Sequence, residues 1–310
     1  MKKILSMALV LAMLLSLAAF SAMAETGVDT NAREENGVKF KGTVKIGSVM
    51  CETGAVASVG VPYSQFYKLY VKYVNEVLGG VAKGADGVGY YLDHTSYDDG
   101  TDGAQGLIYM QKLVEDDQVF SLVGNLGTWN IASSQEYIVE EGIPSVYWGT
   151  GSALQYYLPA EGNQRFTFPV QPIYITEGRI MLMRAVNMPA IEGSGVSEVK
   201  KVGLIFSADD SGTQIESGVR LQYDLIPEAN RPEVVYVKVN TQVADEMTAQ
   251  VAQLEGCDVV IIGGLQAYFN PIYTAMQANP ATRCFLVEPE GAAALAGEPV
   301  SKPGHRIQGG

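Results

Sequence analysis

The sequence predicts an α/β protein with two lobes, each built around a doubly wound parallel sheet. Two observations support this fold class. Short runs that are apolar on both faces alternate along the chain with longer segments of helical spacing, which is typical of parallel sheets covered by helices. The alternation is interrupted once, at residues 158–172, where three prolines occur and the helical spacing is lost. The interruption divides the series into two parts.

Eight runs are predicted to be buried strands because they are β-branched or aromatic and lack a polar face. They cover residues 43–50, 88–93, 119–124, 144–148, 201–207, 233–239, 258–264 and 284–289. Between them, six segments repeat apolar residues three or four positions apart, as one face of a helix does. These predicted helices cover residues 63–77, 107–114, 173–185, 214–223, 243–254 and 268–276.

The predicted parts of the chain follow from this alternation. Residues 25–40 form a polar leader, lobe one covers residues 41–166 and lobe two covers residues 167–310. The crossover between the lobes is predicted at residues 165–172. A chain of this length, with 47% hydrophobic and 18% charged residues, can bury a full core in each lobe.

Residues 1–24 have the layout of a cleavable export signal. Lys2 and Lys3 precede an apolar run at residues 4–20, and a small-x-small cleavage site follows at residues 22–24. The apolar run is short for a bilayer span, no cysteine follows the cleavage site, and no second long apolar segment occurs. We therefore expect an exported protein that is soluble after cleavage, in a periplasm or other extracytoplasmic space.

The charge of the chain argues against two classes of partner. The formal net charge is −13, and lysines and arginines are not clustered. Nucleic acids and anionic lipid surfaces both require positive charge, so neither is an expected partner. The acidity is the kind that keeps an exported protein soluble.

The cysteines leave one pairing open. Cys257 and Cys284 each open a strand-like run, so a disulfide between them is geometrically possible if those strands are parallel neighbours. Cys51 would then be an unpaired thiol. No CxxC or HxH pattern accompanies these cysteines and the chain has two histidines, so we predict neither a metal site nor a cofactor.

The sequence lacks the motifs of common α/β enzymes. It has no GxGxxG after a strand, no phosphate loop ending in GK[ST] and no GxSxG elbow. The acidic loop at residues 98–103 lacks the alternating carboxylates of a calcium loop, and Asp102 or Thr101 is better explained as a helix N-cap. We therefore predict no enzymatic activity.

Three small, hydroxylated loops follow predicted strands and are candidates for a binding site. Parallel sheets bind ligands at the carboxyl ends of their strands, beside helix N-termini that attract anions. Backbone N–H groups and threonine hydroxyls there could hold a carboxylate, and tryptophans could form apolar walls; ordinary turn chemistry and core packing are the alternatives. The candidate residues are Thr53, Gly54, Thr128, Trp129, Trp148, Gly149 and Thr150.

Four blocks of sequence resemble a known family. They are VKIGSVMCETGAVASVG at residues 44–60, YDDGTDGAQGLIYMQKLVEDDQVFSLVGNLGT at residues 97–128, KKVGLIFSADDSG at residues 200–212 and FLVEPEG at residues 285–291. In order and spacing the chain resembles the type I periplasmic binding proteins of ABC importers, in particular the Leu/Ile/Val-binding group. The second block is the most specific of the four.

The resemblance implies a function and a set of site residues. A protein of this group captures a small amino acid, branched-chain or otherwise apolar or aromatic, between two hinged lobes and delivers it to an ABC transporter permease. By resemblance, Thr128, with Gly149 and Thr150, holds the ligand carboxylate and part of its ammonium group. Glu290, in a Pro-Glu-Gly turn, pairs with the ammonium group. We expect such a protein to be a monomer.

Departures from the family pattern leave the ligand open. Ser211 stands where the family commonly has tyrosine, and Gln266 lies near a further aromatic position. A ligand other than leucine is therefore expected. Binding of aromatic or other carboxylates and a ligand-sensing ectodomain of the same fold are the alternatives. By the family's measure the chain ends near the second hinge crossing, so the C-terminal part of lobe one is expected to be missing.

Overall fold

Two parallel sheets with the same strand order form the frame of the protein. The computed structural model describes residues 27–146, 148–156, 162–191, 196–240, 247–264, 266–278, 285–287 and 306–307. The predicted export signal lies outside these residues. The two sheets are separate, and the chain leaves the first sheet before it enters the second.

The first sheet contains one antiparallel strand and five parallel ones. Strand β1 (Val28–Asp29) pairs antiparallel with the start of β4, and β2 (Arg33–Glu35) and β3 (Val38–Phe40) form a separate hairpin. The parallel strands are β4 (Thr43–Met50), β5 (Tyr91–Asp98), β6 (Ser121–Val123), β7 (Ser145–Val146) and β8 (Thr167–Phe168). Its helices are α1 (Ala57–Glu76), α2 (Gly103–Gln111), continued by a π-helical turn at Lys112–Asp116, and α3 (Thr128–Glu141).

The second sheet is entirely parallel. Its strands are β9 (Lys201–Ser207), β10 (Glu233–Val239), β11 (Val259–Gly263), β12 (Phe285–Val287) and β13 (Arg306–Ile307). Its helices are α4 (Tyr174–Val186), α5 (Asp210–Leu225), α6 (Thr248–Ala252) and α7 (Gln266–Ala278). The predicted helix at residues 243–254 starts in a segment outside the described residues.

In both sheets the order of the strands reverses at an equivalent place. In the first sheet β4 lies between β5 and β6, and in the second sheet β9 lies between β10 and β11, so each sheet has the order 2-1-3-4-5. In such sheets the crossovers after the first and third strands leave on opposite faces, which opens a crevice at the carboxyl ends of those strands. The sheet order therefore places a ligand crevice at the ends of β4 and β6, and of β9 and β11.

Each sheet has its own buried core. Met110, Leu122, Ile131 and Trp148 are among the residues that fill the core between the first sheet and helices α2 and α3. The second sheet has one core on each face, one closed by α4 and α5 and the other by α6 and α7. The central strands have apolar side chains on both faces, which is the pattern that predicts parallel strands from the sequence.

The observed elements differ from the predicted ones in four places. Strand β5 covers Tyr91–Asp98 instead of residues 88–93, helix α3 was not predicted, and the crossover region contains strand β8, which pairs with β7. The predicted polar leader contains β1 and the β2–β3 hairpin. The division into a leader and two lobes stays a prediction.

Candidate functional site

The crevice of the first sheet is bordered by a helix whose first turn has no side-chain cap. Helix α3 starts directly after β6, and its N-cap residue is Gly127, which has no side chain to accept from the first N–H groups. Those groups have no partner within the helix, and the helix dipole adds positive potential at the same place. The start of α3 is therefore suited to bind an anion such as a carboxylate.

Two threonine hydroxyls meet at this helix start. Thr128 is the first residue of α3, and its Oγ1 lies 2.7 Å from Oγ1 of Thr150, which follows β7. Both residues are buried, with 5% and 0% of their surface exposed. The backbone N–H of Ser152 donates to the Thr150 hydroxyl as well, at 3.2 Å. Two of the sequence-predicted site residues are thus brought into direct contact.

Gly149 holds the two loops together. Its N–H donates to the Asn125 carbonyl at 2.7 Å, and its own carbonyl accepts from the Gly127 N–H at 3.3 Å. A Cβ atom at Gly149 would lie 2.6 Å from a methyl carbon of Leu126. A side chain at position 149 would therefore displace that of Leu126, and the backbone hydrogen bonds between the loops after β6 and β7 position Thr128 beside Thr150.

Tyr174 extends the threonine pair toward the second sheet. The Thr150 hydroxyl donates to the Tyr174 hydroxyl at 3.5 Å, and the Tyr174 N–H donates to the Gly151 carbonyl at 2.9 Å. Tyr174 is the first residue of α4, a second helix without a side-chain cap. Two uncapped helix starts therefore meet through Thr150. Sequence reasoning missed Tyr174, because it follows the proline-rich crossover and belongs to no recognisable motif.

A second contact joins the two halves of the molecule nearby. The N–H of Ala153, in the loop after β7, donates to Oε1 of Gln214 at 2.9 Å. Gln214 lies in the second turn of α5, which starts at the carboxyl end of β9. The crevices of the two sheets therefore open toward the same region, and Gln214 is another residue that the sequence did not signal.

Trp129 forms part of an apolar cluster at the same edge of the first sheet. It packs with Cys51, Val56 and Leu126, whose side chains close the ends of β4 and β6. Its ring covers Gly127, where a Cβ atom would lie 2.3 Å from the nearest ring carbon. Its indole N–H donates to Oδ2 of Asp99 at 3.0 Å. Trp129 is thus a partly buried apolar wall next to Thr128.

Asp99 is a buried carboxylate behind this wall. Besides Trp129, it accepts from Nδ2 of Asn130 at 3.2 Å and from the Thr101 N–H at 2.8 Å. The pKa of Asp99 is raised to about 6, chiefly by burial and also by the nearby charge of Asp98, while the three N–H donors oppose the shift. No cationic side chain is among the causes of this shift.

The sequence matches a family model over most of its length. The model, described as periplasmic binding protein, matches residues 43–299. The chain belongs to the periplasmic binding protein family. The family resemblance and the fold class predicted from the sequence are therefore confirmed, and the fold is that of type I substrate-binding proteins of ABC transporters. These proteins bind substrates and are not enzymes, in agreement with the prediction.

Solved structures of several substrate-binding proteins have the same fold. A branched-chain amino acid transporter substrate-binding protein from Streptococcus pneumoniae, in complex with isoleucine, is 19% identical over 82% of this chain and 68% of its own, with a TM-score of 0.63. A fatty acid ABC transporter substrate-binding protein from Thermomonospora curvata is 16% identical over 83% and 60%, also with a TM-score of 0.63.

A third structure carries an aromatic ligand. It is a solute-binding protein of an ABC transporter from Rhodopseudomonas palustris, in complex with 3,4-dihydroxybenzoic acid, 14% identical over 80% of this chain and 62% of its own, with a TM-score of 0.60. The present chain thus spans 60–68% of the length of these three structures. No curated protein matches the sequence.

Trp148 does not line the crevice of this binding protein. It is fully buried in the core of the first sheet, and its indole N–H donates to the Ser145 hydroxyl. The structure therefore places Trp148 in the core and not at the surface of the crevice, and its role as an apolar wall of the site stays an untested prediction. A tryptophan after an apolar strand fills the core when the loop turns back over the sheet, and the sequence does not distinguish these orientations.

Thr53 and Gly54 are engaged in holding their own loop. The Thr53 hydroxyl donates to Oδ2 of Asp98 at 2.7 Å, and a Cβ atom at Gly54 would lie 2.0 Å from the Gly100 carbonyl oxygen. The four hydrogen bonds that Asp98 accepts from residues 52, 53 and 100 lower its pKa, although burial opposes them. Thr53 therefore shapes the crevice by fixing the loop after β4.

The predicted residues of the second half are only partly described. Ser211 is buried in the first turn of α5, and its hydroxyl donates to Asp209, the N-cap of that helix. Gln266 is the first residue of α7, at the carboxyl end of β11. Glu290 lies outside the described residues, so its role stays a prediction.

Only one of the two cysteines of the possible disulfide, Cys257, lies among the described residues. Cys257 is buried, and burial raises the pKa of its thiol to about 11. Strand β11 pairs with β12 through Val260 and Phe285, as predicted for parallel neighbours. Cys284 lies outside the described residues, and the bond to Cys257 stays a prediction.

The described residues contain neither a cluster of metal ligands nor a membrane-spanning helix. Within the ranges given above, no group of three histidine, cysteine, aspartate or glutamate side chains could hold a metal ion. Over the same ranges, no helix has the length and apolarity needed to cross a membrane.

Proposed function

We propose that this protein is an extracytoplasmic solute-binding protein that captures a small amino acid between its two lobes and delivers it to an ABC transporter permease. The ligand is a branched-chain or other apolar or aromatic amino acid. The contact between Thr128 and Thr150 at the uncapped start of α3 carries the proposal. Hydroxyls and free N–H groups are the donors that a carboxylate requires, and they converge there.

The ligands of the structural relatives support a carboxylate. Isoleucine, a fatty acid and 3,4-dihydroxybenzoic acid differ in size and polarity, and each has a carboxyl group. A site built from helix N–H groups and hydroxyls suits this shared group, whereas the apolar part of the ligand meets the Trp129 wall. The main alternative is therefore an aromatic or other carboxylate without an amine. A ligand-sensing ectodomain of the same fold is the other.

The carboxylate site is tested by removing one hydroxyl. Thr128→Val keeps the shape of the side chain but removes a donor, so we expect affinity to fall about 10- to 100-fold, as for the loss of a hydrogen bond to a charged group. Calorimetric titration with the amino acid that gives the largest thermal shift measures this change. Thr248→Val is the matched control, because Thr248 is also the first residue of a helix but is exposed. Equal affinity of both variants would contradict the proposed site.

The ammonium partner is tested with ligand pairs that differ only in the amine. We propose that Glu290 pairs with the ligand ammonium, so Glu290→Gln weakens binding of the amino acid but leaves its des-amino acid unaffected. Glu288→Gln, two residues away in the sequence, is the control. Loss of both ligands in Glu290→Gln, or of neither, would remove Glu290 from the site and favour the carboxylate alternative.

A further inference from the structure

We propose that Asp99 is a positioning residue: its ionised carboxylate holds the Trp129 indole against Gly127, and protonation of Asp99 releases this wall of the ligand site. The inference rests on the proposed function only in treating Trp129 as part of the site. Asp99 belongs to the acidic loop at residues 98–103, which lacks the pattern of a calcium loop.

Both carboxylate oxygens of Asp99 accept hydrogen bonds from neighbouring segments of the chain. Oδ2 accepts from the Trp129 indole at 3.0 Å and from the Asn130 amide at 3.2 Å, while Oδ1 accepts from the Thr101 N–H at 2.8 Å. Only 2% of the residue is exposed. The carboxylate therefore joins the end of β5 to the first turn of α3, the helix that starts with Thr128.

The indole is fixed on its other side by backbone. Its ring lies so close to Gly127 that a Cβ atom there would lie 2.3–2.6 Å from three ring carbons. The backbone of Gly103, at the start of α2, approaches the Trp129 carbonyl oxygen, since a Cβ atom at Gly103 would lie 2.6 Å from it. With the backbone packed tightly, the indole N–H bond to Asp99 selects the orientation of the ring.

Protonation of Asp99 weakens this set of contacts. The two carboxylate oxygens have about four lone-pair sites, and the three N–H donors occupy three of them. A proton on the remaining site removes the negative charge, and hydrogen bonds to a neutral acceptor are roughly half as strong as those to an ionised one. The ionised carboxylate is therefore the form that holds the Trp129 indole most firmly.

The groups around Asp99 favour titration in a mildly acidic range. Asp98 faces it from the same strand end, and Cys51 on the loop after β4 has its pKa raised to about 12, chiefly by burial, and stays a neutral thiol. Asp102 caps α2 nearby, and α3 contributes only the neutral Trp129 and Asn130. Burial without a nearby cation raises the pKa of Asp99 to about 6. The Asp99 carboxylate therefore holds the Trp129 indole above pH 6 and releases it below pH 6.

Tryptophan fluorescence of the ligand-free protein tests the contact between Asp99 and Trp129 directly. The chain has two tryptophans, so Trp148→Phe leaves Trp129 as the single emitter. We expect its emission maximum and its quenching by acrylamide to change between pH 7.5 and pH 5, with a midpoint near pH 6. Asp99→Asn in the same background removes the transition, and Asp102→Asn, which removes a nearby charge but keeps a capping side chain, leaves it in place.

The outcomes separate this inference from the proposed function, because no ligand is added. A constant Trp129 signal over this range in folded protein would overturn the inference, and so would a transition that persists in Asp99→Asn. Should Trp148→Phe not fold, the difference between wild type and Trp129→Phe gives the same signal. Failure of every candidate ligand to bind, with the transition intact, would overturn the proposed function alone.

Discussion

Gly127 shows how a single residue shapes the candidate site. Its φ of 108° lies in the region that favours glycine, and the Trp129 ring occupies the space of a Cβ atom. A glycine N-cap also leaves the first N–H groups of α3 without a side-chain acceptor. One residue thus accounts for the backbone turn, the position of the tryptophan and the free donors.

We expect Gly127→Ala to lower stability more than the backbone strain alone explains. A methyl group there costs about 1–3 kcal/mol, because a φ of 108° with a ψ of 138° is a backbone conformation that favours glycine, and it displaces the Trp129 ring, which adds about 1–3 kcal/mol. Gly256→Ala is the matched control, since Gly256 has a φ of 78° and no atom within 4 Å of a Cβ. Urea unfolding measures both. Equal decreases in the free energy of unfolding would mean that the Trp129 ring moves aside without cost and is not held tightly.

At the scale of elements, the sequence predicts strands and helices wherever their buried faces are apolar. Strands β4, β9 and β10 have the predicted bounds, because their buried side chains include runs of Val, Ile, Leu, Met and Phe. Strand β5 extends beyond its predicted end because the residues from position 93 onward are mostly polar: His94 hydrogen-bonds Ser48 on the neighbouring strand, at 2.8 Å between Nε2 and Oγ. Burial lowers the pKa of His94 to about 4, so the ring is neutral there. The pairing satisfies polar groups that a pattern of apolar residues cannot reveal.

Helix α3 was missed for a related reason. Asn130 and Ser134 are fully buried on the face that packs against α2, where a helical pattern requires apolar residues. Asn130 donates to Asp99, and the Ser134 hydroxyl donates to the Asn130 carbonyl. Thr128 and Gly149 are predicted site residues on the basis of loop composition and family resemblance, and the structure brings their loops together. Tyr174 and Asp99 could not be found this way, since their role depends on contacts between distant segments.

At the scale of the whole molecule, helix α1 carries its most apolar stripe on the outside. The exposed side chains recur at helical spacing along one face, with 69% of Phe66, 53% of Tyr70, 46% of Tyr73 and 66% of Val77 accessible. The opposite face buries polar residues as well as valines, including Ser64 and Asn75, which hydrogen-bond Glu52 and the backbone of Leu92. An apolar stripe of this kind on a surface helix favours self-association. It therefore bears on the predicted monomeric state.

We expect this stripe to bind the dye ANS and to cause association that increases with protein concentration. The double variant Phe66→Glu with Tyr70→Glu removes two stacked aromatic side chains and lowers the net charge by two. Lys72→Glu is matched in charge, because it also lowers the net charge by two, but it leaves the aromatic stripe intact. Dye binding and sedimentation velocity should change in the double variant and stay as in wild type in Lys72→Glu. If both variants lose association equally, net repulsion rather than apolar contact governs it; if the double variant unfolds, the stripe is covered in the native protein.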